Sequence, residues 1–340
     1  MKHRIVIEDA VGETRAAVYA GKSIVELYAR RWSDAGQPRA GDIFCGRITR
    51  AEPKMDAAFV DMGFGPDGFL KFTNAQGAPR LTEGRYIHVL VTRDGEDGKG
   101  PVLKFDAIAT GEKIGAVKSQ GLQEFLLARF PGAKVDFAAV NVIDDALDIE
   151  VAVPGGGDIA IEGTRALTAI DIDKGYAPSG FDVSIASCSV IAREIRLRGL
   201  GGLFVIDFPN LRQVKQREKL YAAMQAAFAD DPNTVKIAPV SRFGTIEMTR
   251  AKTHASLHDV MLDRGDALTV ETQAIGALRR LEREGRAHPG AKLILCAPQY
   301  LLDWLDADTI AWKAAMSERL GARFTLAPSD DDTVDVSADR

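Results

Sequence analysis

Three runs near the amino terminus, RIVIED, TRAAVYA and SIVELYARR, carry apolar residues at strand spacing, with Gly12 and Gly21 marking the turns. From Ala40 the text becomes GDIFCGRITRAEPKMDAAFVDMGFGPDGFLKF, and RYIHVLVTR (85–93) and VLKF follow. Short strands parted by glycine turns predict a small barrel. Within 106–150, Leu122, Phe125, Leu126 and Phe130 stand at helical spacing, and FAAVNVI reads as a strand. Two continuous apolar runs come next, in IAIEGTRALTAIDID (159–173) and LFVID (203–207). They read as buried strands, separated by an irregular GYAPSG piece, a helix containing AREIRLR and a GLGG turn. Further on, Leu211, Val214, Leu220, Tyr221, Met224 and Phe228 recur at helical period, and TVKIAPVSRFGTIEMTR supplies two more strands. Helix and strand alternate from Leu268 to Ala327, and the acidic tail DDDTVDVSADR reads as disordered.

Both apolar runs of the central stretch end on a carboxylate, Asp171 and Asp207, 36 residues apart. That spacing suits a strand–helix–strand unit whose strands lie parallel. Both side chains would then emerge at the carboxyl ends of the strands, where open sheets bind their ligands. Two neighbouring carboxylates ask for a positive partner, and Mg2+ takes one or two carboxylates while keeping several waters. The competing reading is that each Asp simply starts a turn.

Composition narrows the field without deciding it. The chain of 340 residues is 46% hydrophobic and 27% charged, enough for two or three compact units. No apolar run reaches membrane-spanning length, and the start lacks the apolar stretch of a signal peptide. Cys45, Cys188 and Cys296 are few and scattered, which suits reduced thiols and a cytoplasmic setting. The net charge of −5 does not announce a nucleic-acid binder, so RNA contacts must be local. One local patch is basic: Arg193, Arg196 and Arg198 with Arg212, Lys215, Arg217 and Lys219 could line a phosphate path, or simply form a solvated helix face. A phosphosugar or nucleotide enzyme fits poorly, because GLGG precedes a strand rather than a helix.

ALTAIDI, IRLRGLGGLFVIDF and VSRFGTIEMTR, in this order, closely resemble the catalytic core of the ribonuclease E/G family. The resemblance implies that Asp171 and Asp207 hold a catalytic Mg2+, with Mn2+ as a substitute. G-R-I-T-R, A-A-F-V-D and D-G-F-L resemble the family's S1-type OB barrel, which implies RNA contact by Phe59, Phe69 and Lys99. From alternation alone, either Phe could equally be core. Arg242 and Phe243, in S-R-F-G, match a family signature whose task the sequence does not reveal, and Arg242 joins the RNA-binding candidates. The fold expected is a multidomain α+β or α/β chain with an inserted OB barrel, a mixed-sheet nuclease core and a small α/β domain. The boundaries are 1–35 packing with 106–150 (a reduced RNase H-like part), 36–105 barrel, 151–252 DNase I-like core, 253–267 linker, 268–328 α/β domain and 329–340 tail. The function implied is Mg2+-dependent endonucleolytic cleavage of single-stranded RNA, leaving 5′-phosphate and 3′-hydroxyl ends. The alternative is a non-catalytic RNA-binding protein on the same scaffold.

Several positions depart from the family pattern. The Asn common two residues after the first Asp is Asp173 here, an added carboxylate that can assist at the metal or repel phosphate. The helix lead-in reads VSIASC (183–188), after a shortened loop. The 106–150 connection is short, and a usually basic run reads Asp231-Pro232-Asn233-Thr234, so little dependence on the RNA 5′ end is expected. In place of C-P-x-C stands AKTHASLHDVM; His254 and His258, four apart, fall short of a structural zinc site. Any homo-oligomer would therefore form without a zinc link.

Overall fold

The computed structural model describes residues 3–78, 81–96, 98–111, 113–209, 213–263, 265–329, 331 and 333–339. Strands β1 (His3–Ala10), β2 (Glu13–Ala20) and β3 (Ser23–Arg31) form an antiparallel meander, as the opening pattern predicts. Strands β4 (Ile43–Glu52), β5 (Ala57–Asp61), β6 (Gly68–Lys71), β7 (Tyr86–Arg93) and β8 (Val102–Ile108) then close a five-stranded barrel. Its circuit runs β4–β5–β6–β8–β7 and back to β4, with β6 and β8 parallel. That is consistent with the OB-type barrel expected. Phe44, Ile48, Val60, Leu70, Ile87, Val89 and Leu103 fill it without solvent exposure. A sixth strand, β9 (Gly115–Lys118), adds outside on β4.

Helix α1 (Leu122–Arg129) buries Leu122 and Leu126 against Ile5, Ile7 and Val18 of the first sheet. Strand β10 (Lys134–Phe137) then joins that sheet, parallel to β1. The strand read at FAAVNVI therefore lies earlier. Val140, Ile143 and Ala146 are buried at a spacing of three, and the short helix α2 (Val142–Asp145) forms where extended chain was expected.

The central sheet holds β11 (Glu150–Val153), β12 (Gly157–Gly163), β13 (Thr168–Asp173) and, after helix α3 (Gly180–Leu197), strand β14 (Gly202–Asp207). Helix α4 (Val214–Ala227), β15 (Val235–Ile237) and β16 (Thr245–Arg250) complete it, in the order β11–β12–β13–β14–β16–β15. β13 and β14 are parallel, and the other neighbours in the sheet are antiparallel. Strict alternation sends Ile170, Ile172, Phe204, Ile206, Ile246 and Met248 to one face. There they pack on Val183, Ile191 and Ile195 of α3 and Leu220 and Met224 of α4. Each such buried side chain contributes about 2 kcal/mol by removal from water. The opposite face stays open to solvent, as a mostly antiparallel sheet permits. Ser179 caps α3 by accepting the Asp182 N–H at 3.1 Å, and Gly199, with φ of +70°, ends it.

The stretch expected as a linker contains helix α5 (Leu257–Met261), closed by a Ser256–Asp259 capping box, with Leu257 and Met261 buried. Helix α6 (Val270–Ala287), β17 (Lys292–Ala297), α7 (Gln299–Ala307), α8 (Trp312–Leu320) and β18 (Phe324–Pro328) form the last α/β unit. Trp312 is fully buried and donates its indole N–H to the Leu305 carbonyl at 2.7 Å. The tail read as disordered instead forms β19 (Asp335–Asp339), antiparallel to β17. Val336 packs against the core of this unit, so the apolar minority of the tail decided its conformation over the acidic majority.

Candidate active site

Ile170 lies opposite Ile206 across the parallel β13–β14 pair. Asp171 and Asp207, one residue further along each strand, therefore stand side by side at the carboxyl ends, on strands about 4.8 Å apart. Both are exposed and face away from the core. Among the described residues neither carboxylate has a hydrogen-bond or ion-pair partner, so they are adjacent negative charges left to water. Strand-end Asp residues that merely served a turn would accept a backbone N–H. Asp173 does so, its Oδ1 accepting the Gly175 N–H at 2.7 Å. It shares the open face with Asp171 and lies opposite Asp158.

Two unengaged, adjacent hard-oxygen donors suit Mg2+, which needs only one or two carboxylates from the protein. Among the described residues no group of three or more His, Cys, Asp or Glu is gathered to hold a metal. The fit is thus to a hydrated hard cation and not to a fully protein-caged one. Asp207 also lies opposite Thr245 of β16, which brings the loop 241–244 beside it. The loop is fixed by Ser241, whose N–H donates to the Thr245 carbonyl at 2.8 Å and whose Oγ accepts the Phe243 N–H at 3.2 Å. Gly244 supplies the φ of +95° that closes the turn. Arg242 is exposed, its guanidinium stacked 4.8 Å from the Phe243 ring centroid.

The barrel resolves the ambiguity at Phe59. Ala58 and Val60 are wholly buried, so Phe59 between them points outward. Phe69 pairs with it across β5–β6, the ring centroids 5.7 Å apart, and Arg50 stacks on Phe59 at 4.4 Å. This is an aromatic outer face with a cation beside it. Lys99 is exposed in the Glu96–Lys99 turn. That turn joins barrel to sheet: Asp94 accepts the Ala255 N–H at 3.1 Å, and Glu96 pairs with Lys252. Lys252 follows the end of β16, which lies opposite the start of β14. The joint is therefore at the end of the sheet away from Asp207, a strand of six residues distant. Among the described residues, β5 and β6 share no extensive contact with β13 or β14.

The basic run of α3 behaves differently from a phosphate path. Arg198 is 1% exposed, with its guanidinium bonded to Glu194 at 3.1 Å and to the Asp148 carbonyl at 2.8 Å. Burial lowers its pKa, and Glu194 opposes that shift. Arg196 binds Glu26 of β3 at 3.1 Å, so it ties helix to sheet. Arg193 alone is largely exposed, and it leans on Glu194. Arg196 and Arg198 thus act as structural ties, each guanidinium engaged within the fold. Arg212 of the same run lies outside the described residues.

His254 lies ahead of α5 and not on it, so the two histidines do not share a helix face. Its ring packs on Tyr28 at 5.1 Å, and burial, reinforced by Arg129, pushes its pKa down to about 4. Sequence reasoning passed over Tyr176, 99% exposed in the loop after β13, and singled out Phe243, 77% exposed before β16, without giving it a task. The available signal was a large aromatic residue set among glycine, proline, serine and charge, where no core period can claim it.

Residues 134–253 match the family profile of the ribonuclease E/G family. Ribonuclease E of Escherichia coli K12 is 32% identical over 203 residues, covering 55% of this chain and 19% of that protein. Ribonuclease G of the same strain is 27% identical over 226 residues, covering 61% of this chain and 46% of that protein. Ribonuclease E of Haemophilus influenzae is 34% identical over 202 residues, covering 55% and 22% respectively. The matches thus span less than half the length of each of these relatives. No helix among the described residues is long and apolar enough to cross a membrane.

Proposed function

The chain belongs to the ribonuclease E/G family, and from that premise we propose that it is an endoribonuclease cleaving single-stranded RNA at the Asp171–Asp207 edge. The observation that carries this reading is the pair of adjacent carboxylates at the carboxyl ends of two parallel strands, without partners among the described residues. Mg2+ held by Asp171 and Asp207 would supply Lewis acidity and lower the pKa of a bound water. Asp173, with Oδ1 engaged by its own turn, can offer Oδ2 to a water of that ion. Arg242, exposed in the loop that leads into the strand end opposite Asp207, would neutralise charge that builds on the phosphate oxygens. In the reaction the water oxygen bonds to phosphorus and the bond to the 3′ oxygen breaks. The departing oxygen takes a proton, leaving 5′-phosphate and 3′-hydroxyl ends.

Phe59 and Phe69 offer an outward stacking face for bases, with Arg50 stacked on Phe59 and Lys99 as a further exposed cation of the barrel. Because the barrel joins the far end of the sheet, a strand engaged by both regions must run along the sheet. Short RNAs should therefore be cut less efficiently than long ones. Cleavage is proposed to depend little on the 5′ end. Asp173 in place of the family's Asn favours one second reading, an RNA-binding protein that no longer turns over. Purified protein incubated with a 5′-labelled unstructured RNA, with Mg2+ or with EDTA, separates the two. Metal-dependent cuts at equal rates on 5′-phosphate and 5′-hydroxyl substrates support the nuclease. Binding with no cut at high enzyme and long times favours the second reading.

A further inference from the structure

The open face of the central sheet is acidic. Asp158 and Glu162 on β12, Asp171 and Asp173 on β13, Asp207 on β14 and Glu247 on β16 all share it by alternation. Lys236 on β15 is a cation on the same face, but carboxylates outnumber it, so an RNA backbone is repelled there and base contacts would add affinity near the Asp pair. Two exposed aromatic rings stand on the loops at this edge. Tyr176 follows β13, its backbone against Gly156 in the β11–β12 turn. Phe243 precedes β16, on the other side of Asp207. The strands between them are about 4.8 Å apart, which puts the two loops on the order of 15 Å from each other, with the carboxylates between.

Neither ring is accounted for by packing. Tyr176 is 99% exposed and Phe243 77% exposed, the two highest values among the exposed large hydrophobic residues. Both sit on turns fixed by hydrogen bonds and glycine. On one side these are the Asp173–Gly175 bond and the Ala177 N–H to Lys174 carbonyl bond at 3.0 Å. On the other they are the Ser241 bonds and Gly244. A rigid loop that presents a bare aromatic ring costs little ordering when a base stacks on it.

We propose that Tyr176 and Phe243 bracket the cleavage site, each stacking one base of single-stranded RNA on either side of the phosphate to be cut. Arg242, stacked on Phe243, extends that platform as a cation beside the ring. The proposal rests on the Asp171–Asp207 edge being the cleavage site. The two rings hold the strand across the edge against the repulsion of the acidic face. Stacking is tolerant of base identity, so cleavage position would follow single-strandedness more than sequence.

The test uses RNAs carrying single 2-aminopurines scanned along the strand, bound to the Asp207→Asn protein so that no cutting intervenes. Fluorescence should quench at two positions that flank the bond cut by wild type. Tyr176→Ala should relieve one quench and Phe243→Ala the other, each weakening affinity about tenfold, the size of a lost base stack. Tyr176→Phe and Phe243→Tyr should restore both signals. An RNA abasic at the two positions should bind wild type as weakly as the Tyr176→Ala/Phe243→Ala double variant binds the intact RNA. The proposal is overturned if both alanine variants quench, bind and cleave like wild type on an RNA that wild type cleaves. If wild type cuts nothing, the nuclease reading falls instead, and quench at two positions lost with the same two rings still upholds stacking at this edge.

Discussion

Two regions of this molecule are dense in charge, and they treat it in opposite ways. At the junction of the first sheet with its neighbours, Glu13 is wholly buried between Arg15 at 2.6 Å and Arg31 at 2.7 Å. Glu26, 3% exposed, takes Arg129 at 3.0 Å and Arg196 at 3.1 Å, with Tyr28 donating to it as well. Burial pushes the Glu26 pKa up, but the bonds to Arg129 and Tyr28 and the charge of Arg196 hold it below its ordinary value. At the carboxyl edge of the central sheet, Asp171 and Asp207 stand together with no such partner among the described residues. In water, two charges about 5 Å apart repel by only about 1 kcal/mol, so the fold tolerates them there. Buried charge must be matched by the fold, whereas exposed charge can be left unmatched for a ligand.

The sharpest way to break this contrast is at the bare pair. Asp207→Asn should lower Mg2+-dependent cleavage at least about a hundredfold, as removal of EDTA-sensitive metal would. The same variant should keep the wild-type melting temperature or raise it slightly, since it relieves repulsion. Loss of stability there would mean the carboxylate is a structural tie after all. At the buried junction the outcome should reverse. Glu26→Ala leaves Arg129 and Arg196 without their counter-charge and should destabilise by about 3–5 kcal/mol in urea unfolding. A change below about 1 kcal/mol would show that the junction is wetter than its burial indicates.

Next in size is the pH dependence written by His254. Its folded-state pKa of about 4 lies below the ordinary 6.5, so the unfolded chain takes up the proton first as pH falls. Stability is therefore complete above pH 6.5 and drains as pH falls to about 4, by up to roughly 3 kcal/mol. His254→Phe should flatten that limb of the unfolding curve; an unchanged slope would assign it to other groups. Smaller again, Phe59→Ala should weaken single-stranded RNA binding about tenfold through loss of one stack, read by fluorescence anisotropy. Arg193→Ala, at a largely exposed position, should move stability by less than about 0.5 kcal/mol.

Much of the fold was legible because local periods report local structure. The opening strands, the barrel, α3 and the two runs ending on Asp171 and Asp207 all follow from spacing. FAAVNVI misled because β-rich composition masked a spacing of three through Val140, Ile143 and Ala146. The tail misled because composition spoke for Asp while Val336 found a core. The engagement of Arg196 and Arg198 was not legible because a run of cations looks the same whether its partners are phosphates or buried glutamates.

What the sequence determined by itself is the alternation that points Ile170 and Ile206 inward and Asp171 and Asp207 outward, since a strand's period of two is a property of its own backbone. Only the tertiary structure decided which charges are matched. Glu26 and Arg196 stand 170 residues apart in the chain and meet at 3.1 Å. Phe59 faces outward because the barrel closes around Ala58 and Val60. Tyr176 and Phe243 flank one edge because β13, β14 and β16 are neighbours in the sheet. Pairing across such distances depends on where each surface is buried, and no local period encodes it.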